Sequence, residues 1–575
     1  MPLSTKNKTW WLIVIVAIAA INFLAASVHE RMDLTGGKRF TISSPVKKLL
    51  AGVHDNIEIN IFLKGELPAG FKNLASSAQD LLGEFNEYSH GRIHYKLLSA
   101  DDVMPGTSRT YGDTLSSLGM TPINLKVQLK AGEQSQFVYP AALVNYGDKI
   151  IPVNLYSGTE TVITPAELNS SEALLEYKFA YAISKLTEDK KPMIAYSIGN
   201  GEPTGNNVID LVTNVLQKNY SLFTLNISKQ PVIPDTFNLL MIVKPTAPFT
   251  DGEKLKIDQY VMHGGKVIWF VDKLEAEMDS LQIKNQVVAY DRGLNLDDLF
   301  FKYGVRINPD LVMDLQSDFL PFVVNGQNQF DHLRWDYFPL FESKQNSVIT
   351  KNLGLVAGRF VNSIDTVNAP AITKTILLSS SDNSRTIATP ALISGEENRT
   401  TPEDEAFKMK NIPAAVLLEG KFTSLYKNRL STAAMDSLAH YSEPFLSECI
   451  NENKMIVVAD GDIVLNDVMQ DGPLPMGLNA KNAGTQFEYQ FANKDFVENC
   501  LEYLVNNANL SEARSKDYTL RLLDKKKVDA DKTQWQIINL VLPLLFITLF
   551  GIIYQWWRKR KYTARQPQSK VITGN

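Results

Sequence analysis

The sequence predicts a mixed α/β protein anchored in a membrane by one helix at each end. Two uncharged apolar runs lie near the two ends, and short apolar strands alternate with helical segments between them. The balance is that of a folded chain: of 575 residues, 44% are apolar and 21% charged, close to the globular average. At about 150 residues per domain, the length allows three or four domains' worth of material. Lys and Arg number 58 against 63 Asp and Glu, a net charge of −5, which argues against a nucleic-acid binder. The two cysteines, Cys449 and Cys500, exclude a disulfide scaffold, and no C-x-x-C pattern offers a zinc or redox motif. Sequence alone leaves open whether they pair.

The first apolar run, Trp10 to Val28, holds no charge; the second, Ile537 to Trp557, holds none either and contains Pro543. Each has the length needed to cross a hydrocarbon layer about 30 Å thick, and a proline is tolerated in such a helix. The rival reading of the first run is a cleaved signal peptide, with Lys6 and Lys8 as its basic start and a small-residue site near Ala25 to Ser27. Its apolar core exceeds the usual length of such a segment.

Charge placement then sets the orientation. Within twenty residues of the spans, eight basic residues lie in the tails and ten on the body side; within about eight residues the ratio becomes seven to two. The proximal residues feel the membrane field most strongly. The tails carry no acidic residue, so the rest of the chain holds 50 basic against 63 acidic residues. Both termini are therefore expected in the cytoplasm, with a body of about 500 residues outside the inner membrane.

The expected partition is a tail over 1–9, a span over 10–28, a small α/β domain over 29–190, a larger one over 191–510, a charged stalk over 511–534, a span over 535–557 and a basic tail over 558–575. In the small domain, Ile57 to Leu63 alternates as a strand. Leu74, Leu81, Leu82, Phe85 and Tyr88 follow at helical spacing, and Arg92 to Leu98 is a second strand. Strand, helix and strand favour a right-handed crossover between parallel strands. Ile123 to Leu129, Phe137 to Val144 and Lys149 to Leu155 read as an antiparallel meander, with Asn145 to Asp148 as a tight turn. The layout suggests a thioredoxin-like domain without redox cysteines. A helix from Ser171 to Leu186 runs into the charged break Glu188 to Pro192.

The larger domain opens with a strand, Met193 to Ile198, a turn, Gly199 to Asn207, and a helix from Val208 to Tyr220. Asn238 to Val243 is the next strand, and Thr250 with Glu253 forms a capping-box pattern. Lys266 to Asp272, Thr375 to Leu378, Ala414 to Leu418 and Met455 to Ala459 are further strands. Their near-continuous apolar character marks a sheet covered on both faces. Leu281 to Pro370 reads as helices mixed with irregular chain.

The phosphate loop G-x-x-x-x-G-K-[ST] is missing from the sequence. Gly199 to Gly205 has the strand-to-helix context of a dinucleotide loop, but its third glycine comes one position late and Pro203 removes an N–H. His90 and His94 straddle Gly91 and do not share a helical face, as a zinc pair must. No H-E-x-x-H and no G-x-S-x-G occurs. Carboxylates at strand ends remain: Asp272 ends one strand, Asp460 and Asp462 follow another, and Asn200 and Glu202 lie in the first turn. Ligands favour the crevice at the carboxyl ends of parallel strands, although Asp-Gly pairs are also ordinary turn formers.

Four strings carry a resemblance: Asp258 to Asp272 (DQYVMHGGKVIWFVD), Leu294 to Leu315, Arg334 to Phe341 (RWDYFPLF) and Met455 to Asp467 (MIVVADGDIVLND). With the paired spans and the RLLDKK stretch at Arg521 to Lys526, the chain resembles the GldG family of gliding-motility-associated ABC-transporter components. Where that family often shows Gly-His-Gly-Glu, this chain has Gly199-Asn200-Gly201-Glu202, so no role of that histidine carries over. The resemblance implies a thioredoxin-like unit followed by a Rossmann- or amidotransferase-like one, in a bacterium of the Bacteroidetes type. It also implies a non-catalytic, substrate-binding-type auxiliary subunit, with a separate multi-span ABC permease and a cytoplasmic ABC ATPase as partners. It assigns no catalytic residue, metal or cofactor. Two other readings stay open: a structural envelope scaffold, and an anchored hydrolase using carboxylates near Asp272 and Asp460.

Overall fold

A computed structural model of the chain describes residues 15–19, 41–65, 67–120, 122–129, 132–156, 163–188, 190–278, 286–323, 330–344, 347–351, 353–394, 404–430, 444–506, 510, 513 and 525–563. It comprises two separate compact units, residues 1–518 and 519–575. The expected first span falls largely outside the described residues; within it, residues 15–19 are helical and exposed. The fold is mixed α/β.

The first core is built on α1 (Ser44–Ala51), β1 (Ile57–Ile61), α2 (Ala69–Tyr88), β2 (Ile93–Leu97), α3 (Tyr111–Ser117), β3 (Ile123–Leu129), β4 (Gly132–Val138), β5 (Ala141–Tyr146), β6 (Lys149–Asn154) and α4 (Pro165–Thr187). β1 and β2 pair in parallel, Ile57 opposite Ile93, and α2 is the crossover. Its buried stripe of Phe71, Leu74, Ala78, Leu82 and Phe85 recurs at three and four residues, as an amphipathic helix requires. β5 pairs antiparallel with β1 and β6, giving the order β2-β1-β5-β6. Gly147, at a φ of 56°, supplies the left-handed residue of the turn between β5 and β6.

The expected meander is corrected in one place. Phe137 to Val144 is not a single strand but the end of β4 and the start of β5, separated at Tyr139 and Pro140. Proline has no N–H to give to a ladder. β3 therefore pairs with β4 as a hairpin of its own, from Ile123 opposite Val138 to Leu129 opposite Gly132.

The larger sheet contains β7 (Met193–Ser197), β8 (Ser221–Leu225), β9 (Leu239–Val243), β10 (Lys266–Phe270), β11 (Ile372–Ser379), β12 (Pro413–Gly420) and β13 (Asn453–Val458), in the order β11-β12-β13-β10-β9-β7-β8. The pairs from β8 through β7, β9 and β10 to β13 are parallel, and β12 and β11 are added antiparallel. Successive side chains alternate between two cores. Ile268 and Phe270 of β10 join Ile456 and Val458 on one face; Val267 and Trp269 join Met455 and Val457 on the other. Helices cover both faces. On the first lie the helical segment after β7, widened to a π-helix over Leu211–Gln217, and α7 (Asn493–Val505). On the second lie α5 (Asp251–Met262) and α6 (Asp297–Tyr303).

Thr250 caps α5 as read from the sequence: its hydroxyl accepts the Glu253 N–H at 3.2 Å while the Glu253 carboxylate accepts the Thr250 N–H at 2.8 Å. The segment 281–370, expected to mix helix and irregular chain, is strand-rich where described, with strands at Gln286–Asp291, Asp310–Asp314, Ser317–Val323 and Phe330–Phe341. They enclose an aromatic cluster of Trp335, Tyr337, Phe338 and Phe360. Cys500 and Cys449 are both buried and not joined in a disulfide, one in each core of the large sheet.

After α7 the chain returns to the first core. Leu510 and Ala513 are buried there with Ile42, Val46 and Phe179. The second unit contains a helix, α8 (Lys525–Thr563). Within it, Gln534–Arg560 spans 27 residues at a mean hydropathy of 2.4, with none of its apolar window buried. Leu510→Ala is expected to destabilise the first core by about 2–5 kcal/mol, as a buried large-to-small change does. Urea unfolding of the purified protein checks this; a passive linker residue there would leave the midpoint unchanged.

Candidate functional site

The carboxyl ends of β9, β10 and β13 lie side by side in the large sheet, and each ends in a charged residue. Lys244 follows β9 directly, Asp272 lies two residues beyond β10, and Asp460 and Asp462 follow β13. Lys244 adopts a left-handed φ of 42°, a conformation that costs a non-glycine residue of order 1 kcal/mol. Its N–H is fixed by the Phe270 carbonyl at 2.7 Å.

The Lys244 ammonium, itself buried, contacts Asp462 at 2.6 Å, Glu277 at 3.1 Å and Asp272 at 3.2 Å. Arg292 in turn pairs with Glu277. The buried Asp460 accepts two backbone hydrogen bonds, from Arg359 at 2.9 Å and from Asp462 at 2.7 Å. Arg359 grips Asp467 through both guanidinium nitrogens, at 2.7 and 2.9 Å. Gly461 is demanded by this packing, because a Cβ there would lie 2.6 Å from the Lys244 Cβ.

Burial opposes the charge on Lys244, yet Asp462, Asp272 and Glu277 hold its pKa well above the ordinary lysine value. Burial also raises Asp272 and Glu277, and Lys244 works against that rise. Asp460 is pushed well above the usual carboxylate range, first by burial and then by the neighbouring Asp462 and Asp272.

Asp272, Asp460 and Asp462 bring their oxygens within 4.8 Å of one another, the kind of spacing from which oxygen ligands hold a divalent cation. The ammonium of Lys244 already supplies positive charge between two of them. The arrangement is a charge-balanced lock on three strand ends. Asn200 and Glu202 lie one loop away and close the turn after β7. Glu202 accepts from Ser197 Oγ at 2.8 Å and from the Asn200 N–H at 2.7 Å. The Asn200 carbonyl accepts from Thr246 and Ala247, just beyond Lys244.

A cleft of about 480 Å³ adjoins through Lys273 and is also lined by Asp291, Asp297, Phe301, Lys302 and Arg429. Lys273 is paired there with Asp297 at 2.6 Å and Asp291 at 3.3 Å, so much of the cleft's charge is internally matched.

Sequence reasoning found the three aspartates and missed Lys244, Glu277, Arg292 and Arg359. The available signal for Lys244 was its place directly after the uninterrupted apolar strand Leu239–Val243. Arg359 sits in a loop far from the other members in sequence and gave none.

Lys244→Met should cost about 3–5 kcal/mol at pH 7, because it leaves the buried Asp272 and the part-buried Asp462 and Glu277 without their cation. The folded-state pKa values of Asp272 and Glu277, already raised by burial, then rise further above the unfolded values, so the folded variant binds protons more tightly than the unfolded chain. Its deficit should shrink as pH falls from 7 toward 5. Urea denaturation at both pH values checks this; an equal loss at both counts against the lock.

Residues 191–500 match a family described as an ABC-type uncharacterized transport system, and residues 36–145 match a domain of unknown function. An uncharacterized protein of Borreliella burgdorferi (strain B31) is 20% identical over 541 residues, covering 92% of this chain and 94% of its own length. Among solved structures, an IFT52 N-terminal domain gives a TM-score of 0.30 at 13% identity, over 55% of this chain and 98% of its own. An exo-β-1,4-mannosidase of an Opitutaceae bacterium gives 0.18 at 9% identity, over 68% and 46%. Likenesses at such scores carry no argument about this chain.

Proposed function

The chain belongs to the ABC-type uncharacterized transport system family, and on that premise we propose that it is a non-catalytic, membrane-anchored auxiliary subunit of an ABC transporter. The family gives it an accessory role in ABC transport. The observation that carries the finer reading is the helix Gln534–Arg560, whose apolar window lies wholly unburied. An uncovered surface of that size is unfavourable in water by roughly 25 cal/mol per Å², and its length suits a bilayer. With the basic tail beyond it, this supports both termini in the cytoplasm and the two α/β domains in the periplasm of a bacterial inner membrane.

The missing phosphate loop supports a separate ATPase as the energy source, and two spans are too few to line a transport path, which supports a separate multi-span permease. The parallel order β8-β7-β9-β10-β13 supports a Rossmann- or amidotransferase-like larger domain, and the β2-β1-β5-β6 sheet supports a thioredoxin-like smaller one. The association with gliding motility is supported by the four sequence strings and the paired spans. Purification of the tagged chain from a detergent extract should recover both a multi-span permease and an ABC ATPase. Recovery of neither, with the chain intact, overturns the transporter reading and favours an envelope scaffold.

A further inference from the structure

We propose that the small domain is the membrane-facing module, and that it rests on anionic phospholipid headgroups through α1, whose Lys47 and Lys48 form the contact. The inference deepens the anchored-subunit reading above and rests on it.

Chain path is the first argument. Ile42, at the start of the body, and Leu510 and Ala513, at its end, are buried in the same core. The Ser43 N–H is fixed there by the Glu176 carboxylate of α4 at 2.8 Å. Both segments leading to the apolar runs therefore leave from the small domain. Val28 and Thr41 are thirteen positions apart, a reach of at most about 45 Å when fully extended.

The larger domain has no such link of its own. The chain enters it between Leu186 of the first core and Ile194 of the second, and leaves it between Val505 and Leu510. The first crossing lies far along the chain from the first run, and after the second the chain passes through the small domain's core at Leu510 and Ala513 before it reaches the other run. Lys185 of α4 stacks over Tyr220 of the larger domain at 5.3 Å beside the first crossing. Any path along the chain from bilayer to larger domain passes through the small domain.

Charge is the second, independent argument. Residues 49–510 hold 38 basic against 56 acidic residues, a balance of −18. Residues 29–48 hold five basic against two acidic, and residues 511–534 hold seven against five. The body is thus acidic on balance, whereas the two segments by which the chain leaves it for the membrane are basic on balance. An acidic body is repelled by an anionic leaflet, whereas each Lys or Arg near the surface is attracted to it. Lys48 is exposed on α1 and Lys47 lies beside it, over the Tyr88 ring at 4.8 Å. α1 begins one residue after Ser43, where the chain enters the core, so its lysines sit at the membrane end of the small domain.

The test uses the full-length protein in nanodiscs carrying a headgroup-linked quencher. A fluorophore is attached at His54→Cys in the small domain or at Lys302→Cys in the larger one, both exposed positions. The native cysteines are buried, and burial pushes the Cys449 thiol up to about 11, so background labelling is low. In discs containing phosphatidylglycerol, the label at 54 should be quenched several-fold more than the label at 302. High salt, uncharged lipid or the double variant K47Q/K48Q should reduce that contrast.

Equal or reversed quenching overturns the proposal. So does quenching at 54 that ignores salt, lipid charge and the double variant, or that requires a co-purified permease, because the small domain would then be held by its tethers or a protein partner. The anchored-subunit reading fails separately: in spheroplasts, a membrane-impermeant thiol reagent would then reach neither introduced cysteine.

Discussion

One buried ammonium organises the larger domain. Lys244 Nζ, at the end of β9, sits among three carboxylates from the segments after β10 and β13, 2.6 to 3.2 Å from each. An unpaired charge at that depth is costly, and a paired one is tolerated only with good geometry and further hydrogen bonds. The rest of the loop structure at this end of the sheet meets that condition. Lys244 accepts a left-handed backbone, Gly461 gives up its side chain to let the lysine approach, and Asp460 collects the N–H groups of Arg359 and Asp462. The loops after β9, β10 and β13 and the Arg359 loop are thereby held as one piece.

The same logic explains the buried aspartates in the sequence strings that carry the family resemblance. Asp258, in the middle of α5, is fully buried and accepts from Tyr303 Oη at 2.9 Å, Ser424 Oγ at 2.6 Å and the Leu425 N–H at 2.8 Å. Burial raises its pKa while those donors oppose the rise. It ties α5 to α6 and to the loop after β12. Asp314 does the same through the N–H and hydroxyl of Ser381. These carboxylates replace backbone pairing where irregular chain crosses the interior, since an unpaired buried polar group costs about 1–3 kcal/mol.

Much of the fold was legible because local chemistry dictates it. Apolar strands such as Leu239–Val243 and Met455–Val458, the stripe on α2 and the capping box at Thr250 depend on neighbours in sequence, and the structure contains each. The strand-rich segment 281–370 was read wrongly. Its longest strand, Phe330–Phe341, is buried continuously over its second half instead of on alternate residues, its apolar residues face the small aromatic core of Trp335 and Phe360, and neither period stands out. The break at Pro140 was legible in principle, since proline cannot donate to a ladder, yet the apolar residues on both sides masked it.

Sequence by itself determined the acidic body, the two apolar runs, the lack of a phosphate loop and the aspartates at strand ends, because composition and short-range spacing are properties of the chain alone. Only the tertiary structure decided what those aspartates face, because Lys244 and Arg359 reach them from far away in sequence and Coulomb attraction depends on distance in space. It alone also decided that Leu510 and Ala513 return to the first core. By sequence Leu510 falls at the end of the larger domain and Ala513 in the stalk, until a complementary hollow, lined here by residues more than three hundred positions earlier, is there to receive them.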